Sequence, residues 1–114
     1  MKLNERVKAW SEHVGMISDG IPEKQMQKIA EEVNEATYEL AVYQLNKQIC
    51  ELNSPTPLKK ELGDILFATM VQCYMLGFEP DECLKMACDK NDKRKDSGKI
   101  VNGNFLKAED MPND

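Results

Sequence analysis

The residues best suited to chemistry, by type and by spacing, are four carboxylates, which form two closely spaced pairs. Glu32 and Glu35 lie three positions apart, and Glu61 and Asp64 repeat that spacing later in the chain. Residues three apart share one face of an α-helix, so two antiparallel helices would bring all four carboxylates together. Such a group needs a counter-charge to stay ionised. Oxygen ligands alone favour Mg²⁺, or Mn²⁺ as its substitute, over zinc.

Two other interpretations of these acidic residues compete with a metal site. A ferritin-like di-iron centre requires two Glu-x-x-His motifs, and the single histidine of the chain, His13, excludes it. An acidic helix surface is more often simply solvated, and acidic residues also suit the first turn of a helix. The second pair favours the metal site, because it stands directly before the most apolar stretch of the sequence.

The helix that carries the first pair has a narrow apolar stripe, which indicates the direction in which each of its carboxylates points. At about 100° per residue, the stripe contains Ile29, Val33, Ala36, Leu40 and Tyr43. Glu32 falls about 20° beyond the edge of this stripe, and Glu35 and Glu39 follow on the same side. Glu31 points nearly opposite. We therefore expect Glu32, Glu35 and Glu39 to border the buried face, and Glu31 to be solvated.

The residue pattern predicts an all-α protein, because apolar residues recur at helical spacing and strand-like alternation is nearly absent. Four helices are expected, at about Asn4–Val14, Pro22–Cys50, Pro57–Leu76 and Pro80–Lys93. We assign "SDGIP" (18–22) to a turn, Thr56 to the N-cap of the third helix and Gly77 to its C-cap. We expect the whole chain, 1–114, to form one domain, with a helical core at about 3–94 and a tail at 95–114. The tail is expected to hold one short extended piece at 99–101.

The third helix is the most apolar, and this predicts a central position. From Ile65 to Phe78 apolar residues point in every direction, and Gln72 is the clearest polar exception. A helix that is apolar all round is normally buried. We expect the other helices and a second subunit to cover it.

Composition excludes several functional classes. The chain has 114 residues, which fits one domain, and a net charge of −5 with a pI near 4.9. A broadly basic binder of nucleic-acid polymers or membranes is therefore excluded. The polar N-terminus and the lack of a long apolar run predict neither a signal peptide nor a membrane span. Four cysteines without a C-x-x-C pair are typical of free thiols in a reducing cytoplasm.

The two acidic motifs together resemble the signature of a known family. "EEVNE" (31–35), 25 intervening residues and "ELGD" (61–64) are similar to the E-E-x-x-E and E-x-x-D motifs of MazG-like all-α nucleoside triphosphate pyrophosphohydrolases. The similarity extends over about residues 21–105 and includes "GKIVNGNF" (98–105). It implies a four-helix, bundle-like module that forms homodimers or homotetramers. It also implies hydrolysis of an NTP or dNTP to the monophosphate and pyrophosphate, with a role in nucleotide-pool house-cleaning.

The resemblance also implies which carboxylates bind the metal. Family members hold Mg²⁺ through the residues that match Glu32, Glu35, Glu61 and Asp64. This agrees with the helical geometry, which turns Glu31 away from the others. A metal-oriented water would attack in line, and Glu32 or Glu35 is expected to accept its proton.

Further implied substrate contacts lie near the two ends of the chain. Family members hold the triphosphate with a Lys and an Arg one turn apart, matched here by Lys90 and Arg94, and Asn91 lies beside them. Without the resemblance, these cations would be taken as a solvated helix end. Trp10 is a candidate for stacking on the base, although a core or interface role explains it equally well.

Two alternatives remain open at this point. The first is a non-enzymatic interaction or regulatory module, in which the acidic residues bind a basic partner or a structural cation. The second retains the hydrolysis but changes the substrate, for example to dUTP or a nucleotide sugar.

Overall fold

The computed structural model describes residues 1–49 and 53–111, and the chain divides into the compact units Met1–Pro80 and Asp81–Asp114. The helices are α1 (Leu3–His13), α2 (Met16–Asp19), α3 (Pro22–Ile49), α4 (Thr56–Met75) and α5 (Pro80–Arg94). A two-stranded sheet, β1 (Lys99–Val101) and β2 (Asn104–Leu106), and a 3₁₀ turn (Ala108–Asp110) follow. The predicted all-α class is confirmed.

The bounds of the four predicted helices agree with the prediction to within one or two residues, and the structure has one additional helix. Met16–Asp19 is helical, so the assignment of Ser18 and Asp19 to a turn was wrong. Gly15 has a φ of 87°, which a residue without Cβ adopts at no steric cost. The chain therefore changes direction at this glycine and starts a new helix at once. Cys50, the predicted end of the second helix, lies outside the described residues.

The ends of α4 differ from the prediction by one residue each. Pro55 is the N-cap, so Thr56 is already helical. The hydroxyl of Ser54 accepts a hydrogen bond from the backbone N–H of Thr56. Leu76 is the C-cap, and Gly77 follows it with a φ of 78°. The N–H of Phe78 donates to the carbonyl of the third-last helical residue at 2.8 Å, which completes a Schellman motif.

Two buried glutamines fix α3 against α4. Gln25 Nε2 donates to the backbone oxygen of Ala68 at 2.9 Å, and Gln72 Nε2 donates to that of Pro22 at 3.0 Å. Both glutamines are 8% exposed. These bonds join the start of α3 to the second half of α4, so the helices are antiparallel. Gln72, the polar exception noted in the sequence, is buried because its amide is needed for this contact.

The core of the first unit attaches α1 to α4. Val7, Val71 and Tyr74 form its buried centre, and Met16, Met70 and Met75 pack around it. The Tyr74 hydroxyl donates to the backbone oxygen of Asn4 at 3.0 Å. This packing fixes the position of α1 alongside α4.

The buried face of α3 is rotated from the one we expected. Val33 and Leu40 are 44% and 42% exposed, whereas Glu32 is buried together with Ala36. The predicted stripe was therefore wrong at two of its five positions, because the face includes polar residues. On α4, Leu62 and Leu66 are 50% and 67% exposed, so the rest of the first unit leaves this side of the helix uncovered.

The second unit contains a hairpin that the sequence analysis predicted only in part. The extended piece at 99–101 is confirmed as β1, and it pairs antiparallel with β2. Asn102 and Gly103, between the strands, have φ values of 51° and 82°. Asn-Gly with both residues left-handed is the preferred two-residue hairpin turn. The signal for the second strand was therefore present in the sequence.

Removing the Gln25 amide should weaken the α3–α4 contact. We expect Gln25→Ala to lower the free energy of unfolding by about 1–2 kcal/mol, because a buried backbone oxygen loses its side-chain donor. Urea unfolding followed by circular dichroism measures this. Gln27→Ala is the matched control, since Gln27 is exposed on the same helix. Equal stability of the two variants would contradict the assigned role of Gln25.

Candidate metal centre and nucleotide-binding residues

The register of α3 and α4 determines which acidic residues meet. Two helical turns beyond Gln25 on α3 is Glu32, and two turns back from Ala68 on α4 is Glu61. Because the helices are antiparallel, a contact at the first pair of positions implies one at the second. Carboxylate oxygens of Glu32, Glu61 and Asp64 indeed lie within 4.8 Å of one another. The structure thus brings together three of the four residues predicted to bind metal.

Two oxygens of this triad have no hydrogen-bond partner. Glu32 is 7% exposed, and its Oε2 atom, like Oε2 of Glu61, is buried and unpaired. Burying an ionised carboxylate without a partner is costly. A divalent cation would satisfy both oxygens, and an all-oxygen donor set suits Mg²⁺ or Mn²⁺. The residues present therefore fit the metal that the sequence analysis expected.

Electrostatics connects the fourth predicted ligand, Glu35, to this triad. Burial raises the pKa of the Glu61 carboxyl, and the negative charges of Glu35 and Asp64 raise it further. A hydrogen bond with Glu35 and the charge of Glu32 act in the same direction. Glu35 is exposed and stands outside the compact triad, yet its carboxyl group contacts Glu61. The other three carboxylates thus all act on the pKa of Glu61.

A lysine that the sequence analysis did not consider neutralises part of this charge. Lys28 Nζ lies 3.0 Å from Glu32 Oε1 and 3.9 Å from Glu31 Oε2. The hydrogen bond with Glu32 and its negative charge raise the pKa of Lys28. The signal was available, since Lys28 and Glu32 have the i, i+4 spacing of a helical ion pair. The side chain of Glu31 is 66% exposed, which confirms its expected outward orientation.

Trp10 lies at a cavity that also reaches the acidic residues. This cavity, of about 210 Å³, is lined by Trp10, Met16, Gln25, Lys28, Glu32, Asp64, Phe67, Ala68 and Val71. The rings of Trp10 and Phe67 meet edge to face, with centroids 4.9 Å apart and planes at 72°. Trp10 is nevertheless 43% exposed. One cavity therefore has an aromatic wall and an acidic wall, and Phe67 was not anticipated from the sequence.

The predicted phosphate-binding residues lie in the second unit. Lys90, Asn91 and Arg94 are all on α5, and the Asn91 amide donates to the backbone oxygen of Ala87 at 2.8 Å. Asn91 and Arg94 help to line a cavity of about 270 Å³, together with Phe105, Lys107 and Asp110. Lys90 is exposed. The structure thus brings Asn91 and Arg94 to one polar cavity.

The hairpin adds a second cation to this cavity. Arg94 Nη2 lies 3.7 Å from Glu109 Oε1, and Lys107 Nζ lies 3.8 Å from the same oxygen. One carboxylate oxygen is therefore held between a guanidinium and an ammonium group. The sequence analysis missed Lys107, because its position depends on the turn that brings β2 back beside β1.

Comparisons with known proteins identify the family of the chain. Within the described residues, no helix is long and apolar enough to cross a membrane. No curated protein and no solved structure gives a significant match. The family model of the MazG nucleotide pyrophosphohydrolase domain matches residues 21–98, which include all four carboxylates. The chain therefore belongs to the MazG nucleotide pyrophosphohydrolase domain family.

Proposed function

We propose that the protein is a Mg²⁺-dependent pyrophosphohydrolase that converts an NTP or dNTP to the monophosphate and pyrophosphate. The observation that carries this proposal is the cluster of Glu32, Glu61 and Asp64, which contains two buried and unpaired carboxylate oxygens. The cluster lies within the segment that matches the MazG family. Glu35, which interacts with Glu61, completes the proposed set of metal ligands.

All four carboxylates would hold the cation, and one of them would also accept a proton. A divalent cation bound here would neutralise phosphate charge and orient a water molecule for in-line attack. Glu32, Glu61 and Asp64 would hold the cation through their clustered oxygens, with Glu35 as the fourth ligand. Glu35 accepts the proton of the water, because its exposed side chain is accessible to solvent while still contacting Glu61. Of the two candidates for this role, Glu32 is the less suited, since it is buried.

Basic and aromatic residues would bind the rest of the nucleotide. Lys90, Asn91 and Arg94 bind the phosphates, and the cationic groups stabilise the leaving pyrophosphate. Trp10 contacts the base, a role supported by its partial exposure and by its place at the cavity shared with Glu32 and Asp64.

The exposed apolar side of the first unit supports self-association. Helices α1 and α4 border an apolar groove of about 490 Å³ that Leu66 helps to line, and Leu66 is 67% exposed. Contiguous apolar surface of this kind is typical of interaction sites. We therefore propose that the protein forms a homodimer or homotetramer. From the family match we further propose that it works in the cytoplasm and removes surplus or damaged nucleotides.

Purified protein incubated with each common NTP and dNTP should release the monophosphate and pyrophosphate. Turnover is expected with Mg²⁺ and not with EDTA, and ion-exchange chromatography of the products measures it. Mn²⁺ should substitute for Mg²⁺. Folded protein that binds Mg²⁺ but hydrolyses none of these nucleotides would instead support the non-enzymatic module. A substrate panel that includes dUTP and nucleotide sugars tests the remaining alternative, in which the protein hydrolyses a different substrate.

Conservative substitutions should distinguish the acidic residues that take part in the reaction from those that do not. Glu35→Gln and Asp64→Asn should each lower kcat by at least about 100-fold, because a proton acceptor or a metal ligand is lost. Circular dichroism should show both variants folded. Glu31→Gln is the matched control, since its exposed side chain makes only a long contact with Lys28, and it should retain activity within about threefold. An equal loss in all three variants would contradict the assignment.

Stabilisation by Mg²⁺ should depend on pH in a direction set by Glu61. The pKa of Glu61 is raised above its ordinary value of 4.5, so the folded, metal-free protein binds more protons than the unfolded chain above that pH. Stability contributed by this group is present at lower pH and is lost as the pH rises through the raised pKa. Because the metal requires the deprotonated form, the increase in Tm caused by Mg²⁺ should grow as the pH rises above that ordinary value.

Glu61→Gln provides the control for this measurement. Without Mg²⁺ the variant should melt no lower than the original protein at neutral pH, because one of four mutually repelling charges is gone. Its Tm should respond little to Mg²⁺ at any pH. A Mg²⁺ effect on the original protein that does not change with pH would count against proton and metal competing at this site.

A further inference from the structure

Lys28 is a charged residue of the acidic cluster that the proposed function does not yet use. It lines the 210 Å³ cavity together with Glu32, Asp64 and the Trp10–Phe67 pair. Among the described residues that line this cavity, it is the only cation. Its side chain is 52% exposed, whereas its partner Glu32 is buried. Lys28 therefore has freedom to move, and Glu32 does not.

The two oxygens of Glu32 have different surroundings. Oε1 lies 3.0 Å from Lys28 Nζ, whereas Oε2 is buried without a hydrogen-bond partner. Without metal, Lys28 supplies the counter-charge for this carboxylate. A divalent cation on Glu32 would take over that function, and it would also repel the ammonium group at this short distance. The same event that loads the site would thus release Lys28 from its ion pair.

We propose that Lys28 binds a phosphate group of the nucleotide once a divalent cation occupies Glu32. This inference rests on the proposed function, since it names a further contact for the same substrate. An ammonium group is a strong point charge for phosphate, and the long side chain can reorient while its stem stays packed. The cavity then offers carboxylates for the metal, an ammonium group for phosphate and aromatic rings for the base.

The proposal requires opposite effects of Lys28 on the two ligands. Lys28→Met should bind Mn²⁺ at least as tightly as the original protein, because a repelling charge is removed. With Mn²⁺ saturating, it should bind a non-hydrolysable α,β-imido dNTP about tenfold more weakly, the size expected for a lost charge-assisted hydrogen bond. Isothermal titration calorimetry measures both affinities, so neither depends on turnover. Lys28→Arg should retain most of the affinity for the analogue.

Two further variants keep the test decisive. Lys47→Met is the matched control, because Lys47 is exposed on α3 and lies roughly 28 Å further along the helix; it should bind both ligands like the original protein. Lys28→Gln replaces Lys28→Met if the latter is unfolded by circular dichroism, since its amide can still donate to Glu32.

Distinct results would overturn the inference. If Lys28 only held Glu32 in position, the loss of Lys28 would weaken the binding of Mn²⁺ and of the analogue together. Unchanged analogue binding in Lys28→Met would overturn the phosphate contact while leaving the proposed function intact. If the original protein bound Mn²⁺ but not the analogue of any base, the proposed function would fail, and the inference would fail with it.

Discussion

The hydrogen bonds from Gln25 and Gln72 constrain the rest of the first unit, because they fix the register of α3 against α4. Each is donated by a buried side-chain amide to a backbone oxygen on the opposite helix. A slip of one residue would break both of these hydrogen bonds and would turn Glu32 about 100° away from Glu61. Apolar packing alone tolerates such slips better than a directional bond does. The amides therefore specify the alignment that carboxylate repulsion opposes.

This alignment places charge where packing would favour apolar residues. Glu32 occupies the buried face of α3 while Val33 beside it is exposed, the reverse of what burial of apolar surface would give. Such a local conflict is expected at functional sites. The metal-free protein reduces its cost in two ways, through the ion pair of Lys28 with Glu32 and through the raised pKa of Glu61. Both are reversible, which would suit the proposed binding of a cation.

The sequence was sufficient to predict the features that depend on local spacing. The helix bounds, the shared face of Glu61 and Asp64, and the outward orientation of Glu31 follow from the helical period and from capping residues. The buried face of α3 did not follow, because a helical wheel ranks faces by apolar content and this face contains Gln25 and Glu32. The hairpin was half predicted, although Asn102 and Gly103 carried the turn signal. Contacts such as Trp10 with Phe67 depend on packing between helices, which spacing along one helix does not encode.

The charges explain how an acidic cluster would come to bind a polyanion. Four carboxylates and Lys28 together carry −4 + 1 = −3 when all are ionised, and a triphosphate would be repelled from such a site. One divalent cation reduces this to −1, which still opposes binding. Attraction requires further positive charge, either from Mg²⁺ that the nucleotide carries into the site or from basic residues such as Lys90 and Arg94. The proposed release of Lys28 adds no charge to the cluster, but it moves an existing positive charge from a buried carboxylate to the phosphates, where repulsion is greatest.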